Sequence, residues 1–86
     1  MMIDQITTKI HEFIIKQLNN GEYFEIDADL IQQLLIDSMG VMKLISFLET
    51  TYDIEIDLIK IRPENFQTIK AISDLVILSM KKNMEM

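Results

Sequence analysis

Cysteine and tryptophan are absent from this 86-residue chain, and it holds one histidine (His11), one proline (Pro63) and two glycines (Gly21 and Gly40). Without cysteine there can be no disulfide framework and no thiolate zinc site, and a single imidazole is too few for a histidine metal cluster. A reducing compartment is compatible with this composition. No apolar run is long enough to span a bilayer, and the N-terminus lacks the basic region, apolar core and small-residue cleavage site of a secretory signal. The expectation is a cytoplasmic protein with no membrane insertion. Positive charge is also scarce: 8 basic residues against 14 acidic ones leave a net charge of −6, and the basic residues are scattered. Such a surface repels phosphate backbones, which argues against nucleic acid and leaves a basic protein surface as a plausible partner. Apolar residues make up 49% of the chain. That suffices for one compact core without metals or bridges, and a second domain would not fit.

Apolar residues then set out the elements. Ile3, Ile6, Ile10, Phe13, Ile14 and Leu18 recur at helical spacing with Lys9, Glu12, Lys16 and Gln17 between them, which predicts a helix over about 3–19. Asn19-Asn20-Gly21 supplies a left-handed stop. The connection over 20–37 is long, yet Tyr23, Phe24, Ile26, Leu30, Ile31, Leu34 and Leu35 are too apolar to lie free in water. Part of it must pack, with a helical turn starting near Asp27 or Asp29. Asp37 and Ser38 offer two capping side chains for a helix over about 38–51. Val41, Leu44, Ile45, Leu48 and Tyr52 share one side of it; Met39, Met42, Lys43 and Ser46 point the other way. Asp53-Ile54-Glu55-Ile56-Asp57 alternates acid and apolar, but no second strand candidate exists, so it reads as a tethered loop. Pro63 suits the first position of a short helix over about 63–66. Thr68 caps a last helix over about 68–82, with Ile69, Ile72, Val76 and Met80 buried and Lys81-Lys82 at the negative end of its dipole. Met84 and Met86 read as helix end and frayed tail. The whole is an all-α single domain over 1–86, with no repeat, low-complexity tract or linker.

Asp37-Ser38-Met39-Gly40 places a hydroxyl at the positive end of a helix after a long loop. Free N–H groups and the macrodipole would stabilise a phosphodiester on Ser38 Oγ, and the Asp37 carboxylate could help hold a divalent metal during its transfer. An ordinary Ser or Asp cap is the plain alternative; on either reading Ser38→Ala is expected to remove a cap at about 1 kcal/mol.

The surroundings of Ser38 carry more. Leu34-Leu35-Ile36-Asp37-Ser38-Met39-Gly40, Leu44-Ile45, Phe47-Leu48-Glu49 and Tyr52-Asp53-Ile54-Glu55-Ile56 resemble the acyl carrier and peptidyl (aminoacyl) carrier protein family in order and spacing. Pro63-Glu64-Asn65-Phe66, Thr68-Ile69 and Ala71-Ile72 extend the resemblance over essentially the whole chain. It implies a small four-helix bundle with a long loop between helices 1 and 2 and a short third helix. It further implies that Ser38 carries a 4′-phosphopantetheine arm from coenzyme A, that Asp37 assists the transfer through Mg2+, and that the arm's thiol holds cargo as a thioester. The implied partners are a phosphopantetheinyl transferase, an adenylating or acyl-loading enzyme and a downstream acceptor enzyme. The chain would be a monomeric carrier and not itself an enzyme.

Two departures bear on the partners. Where fatty-acid carriers are strongly acidic after the motif, this chain has Gly40, Lys43, Thr50 and Thr51, and only Asp37 and Glu49 remain acidic. Asp-Ser-Met is similar to D-alanine carriers, and the Pro-Glu-Asn-Phe stretch to free-standing aminoacyl carriers. The expected docking set is Met39, Gly40, Met42, Lys43 and Glu49, with the methionines as adaptable contacts, and the expected cargo is an aminoacyl or specialised acyl group. A fatty-acid-type carrier, or a helical interaction module docking through Met39, Met42 and Phe47, are the alternatives. His11 is expected as a solvated residue; pairing it with Ser38 as a catalytic base leaves no group to orient the imidazole and no oxyanion-hole motif. Glu22, Glu25, Asp27 and Asp29 lack the spacing of a calcium loop, and with Asp53, Glu55 and Asp57 they read as solvated or capping acids.

Overall fold

The computed structural model describes residues 2–84, with side chains described for 4–81. It contains three helices and no strand among the described residues: α1 (Met2–Phe13), α2 (Ser38–Tyr52) and α3 (Ile69–Met84). The expected faces of α1 and α3 hold, since Ile10, Ile14, Ile69, Ile72 and Val76 are all fully buried. α1 packs on α3, which also touches α2. Two buried serines in α3, Ser73 and Ser79, donate their hydroxyls to Ile69 O and Leu75 O four residues back, so neither leaves an unpaired polar group in the core. Thr68 Oγ1 accepts from Ala71 N at 3.1 Å, the expected cap of α3. The expectations for Ile3, Lys82, Met84 and Met86 fall outside the described side chains.

α1 does not end where its α-helical pattern ends. Ile14–Leu18 continue it as a π-helical turn, followed by left-handed Asn20 and Gly21. Gly21 N donates to Ile15 O at 2.7 Å, which closes the stop that Asn19-Asn20-Gly21 predicts. Just before this turn, Phe13 stacks on Phe47 of α2, ring centroids 4.1 Å apart, and joins the two helices.

The long connection packs only in part: of the residues expected to be too apolar for water, Phe24 and Leu30 are buried and Leu35 is half-buried, but Tyr23, Ile26, Ile31 and Leu34 stand exposed, which corrects that expectation. Phe24, Ala28, Leu30 and Ile36 enter the core. His11 holds the start of it: Nε2 lies 2.8 Å from Phe24 O, and the ring meets Phe24 and Tyr23 edge-on. The expectation of a solvated histidine is corrected here, because the side chain is half-buried and tethers the loop to α1.

The expected short helix over 63–66 is a single 3-10 turn, Pro63–Asn65. Phe66 N bonds back to Pro63 O and Phe66 leaves helical backbone at φ −121°, because its ring turns into the core at 1% exposure. A further 3-10 turn covers Leu58–Lys60. The segment Asp53–Asp57 is the tethered loop expected: Ile54 and Ile56 are buried, and Ile54 N donates to Glu49 O at 3.2 Å.

Candidate functional site

Asp37, in extended backbone, is the cap of α2. Its Oδ1 accepts from Gly40 N at 2.7 Å, and its main-chain oxygen accepts from Val41 N at 2.8 Å. Ser38 is therefore the first helical residue and not the cap. Its hydroxyl is exposed and makes no hydrogen bond among the described residues. This corrects the expectation that Ser38→Ala removes a cap; that cost belongs to Asp37. The N–H groups of Ser38 and Met39 open the helix with no intrahelical acceptor.

Gly40 is buried for a reason that hydropathy does not display. A Cβ there would lie 3.1 Å from Asp37 Oδ1, 3.3 Å from Ile36 Cγ1 and 3.7 Å from Leu18 Cδ1. The bare glycine lets the capping carboxylate, the incoming loop and the π-helical turn converge beneath Ser38.

Of the expected docking residues, Met39 and Met42 stand exposed at 70% and 60%, and Lys43 faces solvent. Gly40 and Glu49 do not join them. Glu49 Oε2 accepts from Ile56 N at 3.0 Å, so it fastens the 53–57 loop. It sits 11 residues beyond Ser38, about 16 Å along the helix.

The loop reaching Ser38 is itself built. Asp29 Oδ1 accepts from Gln32 N at 2.8 Å and Ile31 N at 3.2 Å, starting the expected turn. Gln67 fastens it: Nε2 donates to Asp29 Oδ2 at 2.6 Å, and Leu30 N donates to Gln67 O at 2.7 Å. The Gln67 amide, with the Gln32 N–H, holds the exposed Asp29 carboxyl below its ordinary 3.8. The turn closes as a helix stop, with Leu34 N on Ile31 O and Leu35 N on Leu30 O. Leu34 occupies its left-handed position at φ 57° while 88% exposed. A leucine there costs about 1–2 kcal/mol over ordinary backbone.

Two depressions flank Asp37. One, about 590 Å3, has apolar walls that include Ile31, Ile36, Val41, Ile61 and Phe66, with Ser38 and Arg62 at its edge. The other, about 240 Å3, is lined by Gln17, Met39 and Lys43 among others. Leu34 and Asp37 line both. Leu34, Ile31 and Arg62 join the site although none was in the expected docking set, and Ile31 and Leu34 were expected only as apolar residues of the packed connection. His11 lines neither depression and is bonded to Phe24, so no Ser38–His11 pair is assembled. Among the described residues, no group of three or more His, Asp or Glu could hold a metal ion, and no helix is long and apolar enough to cross a membrane. No family model matches the chain, and no curated protein matches it.

Proposed function

We propose that this protein is a phosphopantetheine-dependent carrier of the acyl and aminoacyl carrier type, acting in the cytoplasm and holding an aminoacyl or specialised acyl group on an arm attached to Ser38. The observation that carries this reading is the Ser38 hydroxyl: it is exposed, unbonded and relieved of capping duty by its neighbour.

The residues present suit the arm. Ser38 Oγ would attack the coenzyme A phosphorus that bears the pantetheine, its new O–P bond replacing the pyrophosphate P–O bond to adenosine 3′,5′-bisphosphate, which leaves, while the serine proton passes to a base of the transferase. The open N–H groups of Ser38 and Met39 would then face the resulting phosphodiester. Asp37 keeps Oδ2 available while Oδ1 is held by Gly40, which suits a single ligand to a Mg2+ otherwise held by the transferase and coenzyme A. The arm itself would supply a thiol, which this cysteine-free chain lacks. In this reading the Pro63–Asn65 turn takes the place of the short third helix in a four-helix bundle, and the chain works as a monomer.

The test is direct. Incubation with coenzyme A, Mg2+ and a broad-specificity phosphopantetheinyl transferase is expected to add one phosphopantetheine mass to the wild type and none to Ser38→Ala. A helical interaction module without a prosthetic group, which the exposed Met39 and Met42 also suit, would leave both masses unchanged.

A further inference from the structure

The exposed apolar residues around Ser38 include one that the fold disfavours. Leu34 stands at the left-handed stop of the Asp29 turn, a position that glycine occupies freely and asparagine tolerates. At 88% exposure it gains almost no burial in return. Strained backbone that stability does not require is often retained for function. Leu34 also lines both depressions at Asp37, the apolar groove that includes Ser38 and Met42 and the smaller one that includes Met39. With Met39 and Met42 it forms an apolar rim around that serine.

Charge narrows what could cover this rim. The chain carries −6 overall, yet Asp37 and Lys43 offset one another here, and Arg62 is paired with Glu64 at 3.5 Å. Acids cluster elsewhere: Glu22, Glu25, Asp27 and Asp29 line a separate depression. A basic patch would find no complement at Ser38, whereas an apolar cleft would. Leucine and methionine anchors suit such a cleft.

We propose that Leu34 is the anchor of a docking surface, continuous with Met39 and Met42, that seats in an apolar cleft of the enzyme acting on Ser38. The identity of that enzyme rests on the carrier reading above; the chemistry of the surface does not.

The experiment measures phosphopantetheine transfer by a broad-specificity transferase onto wild type, Leu34→Gly, Leu34→Asn, Leu34→Met and Leu34→Glu, with Glu25→Gln as a control and a thermal melt of each. The glycine and asparagine variants are expected to melt at or above wild type, since both relieve the left-handed strain and only the glycine gives part of it back in chain entropy. They should lose about tenfold in kcat/KM, carried by KM, as when an interface anchor is truncated. Leu34→Met should recover most of that loss, and Glu25→Gln should match wild type. A wild type that accepts no arm sinks the carrier reading and not the strain argument. If the wild type is modified and Leu34→Gly is modified as fast, the docking proposal is overturned. It is likewise overturned if the loss lies in kcat alone, if Leu34→Glu speeds transfer as a basic partner would require, if Leu34→Gly and Leu34→Asn both fail to fold, or if sedimentation shows a Leu34-dependent dimer covering the rim.

Discussion

Where α1 and its π-helical continuation meet α3, the core is dry: Ile10, Ile14, Ile69, Ile72 and Val76 have no exposed surface. Around Ser38 the same kinds of residue are left in water, with Leu34, Met39 and Met42 all more than half exposed. The first region is what a small chain needs in order to fold. The second contributes little to stability, and at Leu34 it works against it. Exposure alone does not make this distinction. Leu58 and Ile59 are also exposed, but their backbone is an ordinary 3-10 turn with no left-handed residue, so nothing in the fold opposes them. The Ser38 region differs in combining exposed apolar surface, a left-handed leucine and a hydroxyl with no partner among the described residues.

Substitutions can sharpen or break that contrast. The largest effect is expected in the same core where α2 enters it: Leu44→Ala or Leu48→Ala, at residues with no exposed surface, should cost about 2–5 kcal/mol in denaturant unfolding. A loss below 1 kcal/mol would mean that the core does not carry the fold as described. His11→Ala comes next, at about 2 kcal/mol, through its bond to Phe24 O and its edge-on ring contacts. Asp37→Ala should cost about 1 kcal/mol as the lost cap. Ser38→Ala and Met42→Glu should stay within about 0.5 kcal/mol of wild type, as exposed positions do. If Ser38→Ala proves more damaging than Asp37→Ala, the capping assignment is reversed and Ser38 is structural.

The smallest effects are in pH. Tyr52 has a buried hydroxyl with no hydrogen-bond partner among the described residues, and burial holds its pKa above the ordinary 10.0. Its ionisation is therefore harder in the folded protein than in the unfolded chain. The associated stability is whole below pH 10 and lost as pH rises through the folded value. Tyr52→Phe should flatten the alkaline side of the stability profile; an unchanged slope would contradict the assignment. Asp29 has the opposite sign. Its pKa is lowered, so what it adds is present above 3.8 and lost as pH falls through the folded value, and Asp29→Asn should remove that acid dependence.

Much of the fold was legible because periodicity reports burial directly. Ile6, Ile10, Ile14, Ile69, Ile72 and Val76 were readable as buried, while Phe13, Leu18 and Met80 are only partly so; the turn expected near Asp27 or Asp29 starts at Asp29, whose side chain bonds to N–H groups two and three residues on. The site was less legible. Asp37 and Ser38 both cap helices, so only geometry separates their duties. The burial of Gly40 is silent in sequence, since a glycine has no side chain whose polarity could announce it. His11 binds a main-chain carbonyl 13 residues away, which no local pattern encodes. Glu49 turns to Ile56 for the same kind of reason. Leu34 was hidden because no Gly or Asn marks its left-handed position, and that mismatch is also why it draws notice once the backbone is seen.

The most direct measurement of the central claim is the intact mass of the protein isolated at natural abundance from its own host, followed by fragmentation. A phosphopantetheine mass, with or without a thioester-bound acyl or aminoacyl group, localised to Ser38 is the predicted result. The bare mass of the chain throughout, with Ser38 unmodified, would contradict it.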